Sequence, residues 1–314
     1  MEYSNYCWKF ISLVQCILAC VGGGGEGKIA IGAVNNSYNN GVTPKVPALF
    51  TFGDSIADPG NNNFIPTLIK ADFPPHGRDF TDKKHTGRFS NGKLSTDFIA
   101  AGLGLKERLP AYLDPQLDTQ ELVTGVSFAS AGTGYDNLTA ETVSVIPLWK
   151  QVQYFKEYKS LLAETVGEEN SSFIIREAIF LSVAGTNDFM GNYDNLPDRK
   201  RQFSAGEYED FLLEICSNFI EALYKLGGRK FGVYGLPPHG CLPLSKTLHG
   251  QFNSEGCIEE LNTVAISYNT KLKALIRGLK PHLPGIKLVY IDIYHSFLDI
   301  VENPTKYGFE TSSR

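Results

Sequence analysis

Residues 46–55 read VPALFTFGDS. Val46 to Phe52 is a short apolar run stopped by Gly53, the pattern of a strand buried on both faces. Such a strand belongs to a parallel sheet with helices on either side. Gly53 permits a tight exit, which holds Ser55 exposed at the sheet edge.

Working outward, four more runs repeat the pattern: GVSFAS (Gly125 to Ser130), AIFLSVAG (Ala178 to Gly185), RKFGVYGLPP (Arg229 to Pro238) and IKLVYIDIY (Ile286 to Tyr294). Helical stripes lie between them. Phe211, Leu212, Ile215, Phe219, Leu223 and Leu226 follow a 3.6-residue spacing over Tyr208 to Leu226, closed by Gly227 and Gly228. Ile258, Leu261, Ala265, Tyr268, Leu272 and Leu275 do the same over Ile258 to Leu279. Strands alternating with helices imply a mostly parallel, helix-covered sheet.

In open parallel sheets, function gathers at the carboxyl ends of the strands. Three ends here carry unusual residues: Gly53-Asp54-Ser55, then Gly132 and Gly134, then Gly185-Thr186-Asn187-Asp188. A serine hydroxyl there can attack a carbonyl once a base takes its proton. The resulting oxyanion needs donors, and the Ser55 N–H, the Gly132 N–H and the Asn187 amide are candidates. Each segment alone is equally a turn or a loop. Their shared position at strand ends is what points to a site.

The segments FTFGDSIADPGNNN (50–63), GVSFASAGTGYDNLT (125–139), SVAGTNDF (182–189), YKLGGRKFGVYGLPPHGCLP (224–243) and DIYHSFLDIVENPTKYGFE (292–310) resemble the plant-type GDSL esterase/lipase family of SGNH hydrolases. The resemblance runs from about Val46 to the last residue, with Ile56 in place of the leucine of the name motif. It implies a three-layer α/β/α sandwich with a mostly parallel five-stranded sheet in flavodoxin-like order, and hydrolysis of carboxylic esters through an acyl-serine. It also implies Ser55 as nucleophile and N–H donor, with Gly132 and Asn187 completing the oxyanion hole. Asp54 and Asp188 fall at motif positions that brace loops. Arg88 to Gly92 (RFSNG) match a recurrent segment, read as a structural turn near the site.

The family closes with Asp-x-x-His, whose His is the base and whose Asp orients it. That block is absent from these 314 residues, so the chain as written is expected to be strongly impaired. The alternatives are a secreted protein that binds an acylated ligand without turnover, or a non-functional fragment. Asp292-Ile-Tyr-His295 has the right letters. Placed on a strand, however, residues three apart point to opposite faces and do not cooperate. His239 reads as a loop residue near the cleft, and His76, His85, His249 and His282 as surface residues.

Hydrophobic residues make up 42% of the chain and charged ones 20%, enough for a sizeable core. A net charge of −5 argues against a nucleic-acid partner. Lys9 followed by the apolar run Phe10 to Val21 and by Gly22 to Gly25 reads as a signal peptide over 1–25, leaving no integral membrane segment after cleavage. Residues 26–45 read as a flexible lead-in and 46–314 as the hydrolase domain. Sequons at Asn35, Asn137 and Asn170 fit a secreted glycoprotein. Cys7, Cys16 and Cys20 lie in the leader. Cys241 and Cys257 bracket a Pro- and Gly-rich loop and are the expected disulfide, with Cys216 a buried apolar residue on a helix. No metal or cofactor is called for. The expected substrate is a small-molecule, lipid or polysaccharide ester.

Overall fold

The computed structural model describes residues 44–250 and 256–310. The leader and lead-in expectations, and the sequon at Asn35, lie outside the described residues.

The apolar run at 46–52 forms strand β1, Leu49–Gly53, buried along its whole length. The others are β2 (Ile179–Val183), β3 (Lys230–Tyr234) and β4 (Lys287–Ile291), all parallel in the order β1-β2-β3-β4. The expected fifth strand, Gly125 to Ser130, runs beside β1 as an edge. The Leu49 and Thr51 N–H groups donate to the Thr124 and Val126 carbonyls, and the Phe128 and Ser130 N–H groups donate to the Thr51 and Gly53 carbonyls. It registers only as isolated bridges, at Thr51 and Ala111. The Ser127 hydroxyl donates to the Ala57 carbonyl and accepts from the Ala129 N–H, so side-chain bonds replace part of the ladder.

Period-2 alternation assigns the two sheet faces. Phe50, Phe52, Phe180, Phe231 and Leu288 point to one side. There they join Phe155, Tyr158 and Leu162 of helix α3 (Leu148–Val166) and Leu212, Cys216 and Phe219 of α5 (Ala205–Lys225). Ala265 and Leu272 of α6 (Glu259–Leu279) complete that core. The rings interlock edge-on, Phe50 lying 5.3 Å from Phe155 and Phe52 5.5 Å from Phe219. Leu49, Ile179, Leu181, Val183 and Ile291 point to the other side and pack on Ile99, Ala100 and Leu103, at and just beyond helix α1 (Ser95–Gly102). This is the expected three-layer α/β/α arrangement.

Helix α5 begins three residues before the expected start because Ser204 and Glu207 form a capping box. The expected strand 286–294 stops at Ile291, and helix α7 (Tyr294–Glu302) follows at once. Cys241 and Cys257 are disulfide-bonded, and Cys216 is free and buried. No helix among the described residues is long and apolar enough to cross a membrane.

Candidate active site at the ends of β1 and β2

The edge segment before β1 in the sheet follows β1 in the chain, and β2 on its other side comes later still. Connections therefore leave β1 in opposite directions, which opens a crevice at the carboxyl ends of β1 and β2. Ser55, Gly132 and Asn187 line one cleft of about 260 Å³ there. Ile69, Phe89 and Val143 give it an apolar wall.

The loop after β1 is tied from all sides. Gly53 has φ +120°, and a Cβ would stand 1.8 Å from the Val183 carbonyl oxygen, so only glycine fits this exit. Gln151 of α3 clamps the same residue, accepting its N–H at 2.8 Å and donating to its carbonyl at 3.0 Å. Asp54 donates its N–H to the Val183 carbonyl, and its Oδ1 accepts the Ile56 N–H at 3.0 Å. Asp58 accepts the N–H groups of Gly60 and Asn61 and, across the cleft floor, that of Ala131. Asn62 donates to the Ala131 carbonyl at 3.0 Å. Ser55 and Gly132 thus stand on loops that share one buried network.

Asn187 is placed by its neighbour. The buried Asp188 carboxylate accepts from the Tyr135 N–H (2.7 Å), the Asp136 N–H (3.0 Å) and the Thr139 hydroxyl (2.7 Å). Gly134 makes room for it, since a Cβ there would lie 2.1 Å from Asp188 Oδ1. Asp136 caps helix α2 (Asn137–Thr142) through the Leu138 N–H and is held in turn by both arms of the Arg199 guanidinium, at 2.6 and 2.8 Å. The Asn187 amide spends one N–H on the Thr133 carbonyl at 2.8 Å. An amide nitrogen carries two, so the other is spare.

The pattern of used and unused backbone donors is specific. Asp54, Ile56, Ala131 and Thr133 all commit their N–H groups. The N–H groups of Ser55 and Gly132, between them, meet no acceptor among the described residues. Two open N–H groups and a spare amide N–H around one cleft can hold an oxyanion. The Ser55 hydroxyl likewise has no hydrogen-bond partner among the described residues.

Burial dominates the electrostatics. It pushes the Asp54 carboxyl up to about 7 and Asp58 up to about 6, against the opposing pull of the backbone N–H donors. It does the same to Asp188, up to about 7, despite the Thr139, Tyr135 and Asp136 bonds. Arg88 is buried too, donating two hydrogen bonds to the Asp97 carboxylate at 2.8 and 3.0 Å, and it donates to the Pro59 and Leu109 carbonyls. It braces the segment that carries Phe89 into the cleft wall.

The histidines fall differently from expectation in three cases. His239 is no loop residue at the cleft. It is fully buried, stacked on Phe189 at 6.0 Å with neither nitrogen partnered, and burial lowers it to about 4. His76 is half-buried, its ring edge-on to Phe89, and its Nδ1 bonds the Phe73 carbonyl. Asp292 and His295 do cooperate, at 2.8 Å, because the strand has ended and Asp292 accepts the His295 N–H in the first turn of α7. They sit just past the carboxyl end of β4, three strands from β1. At about 4.8 Å per strand that is roughly 14 Å from the Ser55 end. No described histidine hydrogen-bonds Ser55.

Gln151, Asp58, Asp136 and Arg199 are the supporting residues that sequence reading misses. Asp136 had a signal, an Asp directly before a helix. Gln151 had none, since its partner lies 98 residues away. Among the described residues no group of three or more His, Cys, Asp or Glu side chains is placed to hold a metal. Asn137 and Asn170 are both exposed.

A family model described as GDSL-like Lipase/Acylhydrolase matches residues 49–313. A GDSL esterase/lipase of Arabidopsis thaliana is 48% identical over 271 residues, covering 86% of this chain and 77% of its own length. A second from the same plant is 46% identical over 266 residues, covering 85% and 76%. A third is 48% identical over 266 residues, with the same shares.

Proposed function

The chain belongs to the GDSL-like lipase/acylhydrolase family, hydrolases acting on ester bonds, and from that premise we propose that Ser55 is its nucleophile. Ser55 Oγ attacks the acyl carbon, and the carbonyl electrons move onto oxygen. The Ser55 and Gly132 N–H groups and the spare Asn187 N–H bind that oxyanion. The alcohol leaves with a proton, and water later releases the acid from the acyl-serine. The apolar wall of Ile69, Phe89 and Val143 suits the acyl half of the ester. The substrate class is a small-molecule, lipid or polysaccharide ester. The observation that carries this reading is the pair of open N–H groups at Ser55 and Gly132, flanked by donors that are all committed.

The attack needs a base. The Asp-x-x-His pair implied by the family is not among these 314 residues, and no described histidine reaches Ser55. Loss of a triad member costs orders of magnitude while the oxyanion site retains some catalysis, about 10³–10⁴-fold over water in the best-studied case. These 314 residues alone are therefore slow. We place them in a secreted protein, with residues 1–25 as leader and Asn35, Asn137 and Asn170 as glycosylation sites.

Intact-mass measurement after incubation with p-nitrophenyl acetate tests the reading. The expected result is one acetyl group per chain, mapping to Ser55, with slow release. Turnover at ordinary enzyme rates that persists in Ser55→Ala contradicts it. The unpartnered Ser55 hydroxyl also favours a second reading, capture of an acylated ligand without turnover. Saturable binding of an acylated sugar with no acid released would select that one.

A further inference from the structure

A second cleft, of about 160 Å³, lies at the amino ends of the strands, the opposite end from Ser55. Lys159 of α3, Ser172 and Arg176 of helix α4 (Glu168–Glu177), and Arg229, just before β3, line it over a floor of Ile175 and Leu226. Three cations from three separate elements open on one space.

Two of them have no acidic partner. Lys159 Nζ donates to the Leu226 carbonyl at 3.1 Å. Arg229 Nη1 donates to the Tyr224 and Gly228 carbonyls at 2.9 and 2.7 Å, and its guanidinium lies 4.0 Å from the Tyr224 ring centroid. Neither forms an ion pair among the described residues. Arg176 meets Glu177 at 3.1 Å, but that carboxylate is shared with Lys230 at 2.8 Å. The ends of α4 and α5 each bring roughly half a negative charge. Four cations against these and one carboxylate leave an excess of about two positive charges. Capping explains the bonds to the carbonyls of α5's last turn. It does not explain why Arg176, from another helix, lines the same cleft, or why the remaining guanidinium N–H groups are left over.

We propose that this cleft is a binding site for a tetrahedral oxyanion, a phosphate or sulfate group, held by the free guanidinium N–H groups of Arg229 and Arg176, Lys159 and the Ser172 hydroxyl. Planar guanidinium forks match such oxygens in pairs. The site is separate from Ser55 and independent of its chemistry.

Calorimetric titration of the 314-residue chain with inorganic phosphate, at ionic strength held constant with sodium chloride, tests it. The expected result is one saturable site, weakened at least about tenfold by Arg176→Gln and by Lys159→Gln. Arg176 is exposed, so its variant is expected to fold, and a thermal melt checks this. Equal heats from phosphate and chloride overturn the proposal, as does unchanged phosphate affinity in both folded variants. Glucose 6-phosphate distinguishes the sources. Tighter binding than inorganic phosphate assigns the group to a larger molecule, and equal or weaker binding assigns the free ion. Either ranking upholds the site, provided the two variants weaken it.

Discussion

At the carboxyl ends of β1 and β2, the carboxylates are buried and accept protein donors: Asp54 from Ile56, Asp58 from Gly60, Asn61 and Ala131, Asp188 from Tyr135, Asp136 and Thr139. At the carboxyl end of β4, an Asp and a His meet in solvent, with the His295 side chain 73% exposed. Both ends carry the letters of a hydrolase motif. Of these two ends, the first alone fixes its loops through buried polar groups, and of the two it alone, among the described residues, has unused donors facing a cleft. A matched letter pattern marks a site when the surrounding polar groups are committed and a chosen few are not.

Four expectations sharpen or break that contrast. The largest concerns Ser55. Ser55→Ala is expected to remove acyl-enzyme formation altogether, a loss of at least about a thousandfold in labelling, read by intact mass.

Next comes the Asp188 cradle. Asp188→Ala strands the Tyr135 and Asp136 N–H groups and the Thr139 hydroxyl. It is expected to cost about 3 kcal/mol, seen as a lower urea midpoint at an unchanged slope. A midpoint equal to the parent's means that the cradle does not hold the Asn187 loop.

The buried carboxylates also predict a pH dependence. Their folded values are raised from 3.8 to about 7 for Asp54 and Asp188 and about 6 for Asp58, so the folded state binds more protons than the unfolded between these limits. Stability from this source is full below about pH 4 and is lost as pH rises through 7. His239, lowered from 6.5 to about 4, acts in the opposite sense over its own range, one group against three. The net expectation is a decline in stability from pH 4.5 to 7.5 in urea denaturation, flattened by Asp54→Asn. Stability that rises over that interval contradicts the burial argument.

The smallest expected effect lies at the other end. His295→Ala removes an exposed pair and should change stability by less than about 0.5 kcal/mol, with Ser55 acylation unaltered. A large loss of either would make the β4 end the functional one.

How far the sequence reveals this contrast depends on range. β1 was legible because burial on both faces leaves an uninterrupted apolar run, and α5 and α6 because their stripes are regular. Helix α3 was not among the expected helices, although Leu148, Phe155, Tyr158 and Leu162 fall on one face and are buried. The GVSFAS edge was legible as extended chain but not as an irregular ladder, because the Ser127 side-chain bonds depend on Ala57, 70 residues away. At the site, Ser55, Gly132 and Asn187 were legible as motif positions. Their bracing was not: the Gln151 clamp and the Arg199–Asp136 pair join residues 98 and 63 apart with no local pattern. Asp292–His295 misled in detail because its three-residue spacing was read on a strand, whereas the chain had already turned into a helix.

We propose that ester chemistry belongs to the β1–β2 end. Its most direct test is p-nitrophenyl butyrate hydrolysis by the parent chain, Ser55→Ala and His295→Ala, measured side by side at equal protein concentration. Slow release above buffer is expected in the parent, the same rate in His295→Ala, and the buffer rate in Ser55→Ala. Full activity in Ser55→Ala, or its loss in His295→Ala, would contradict it.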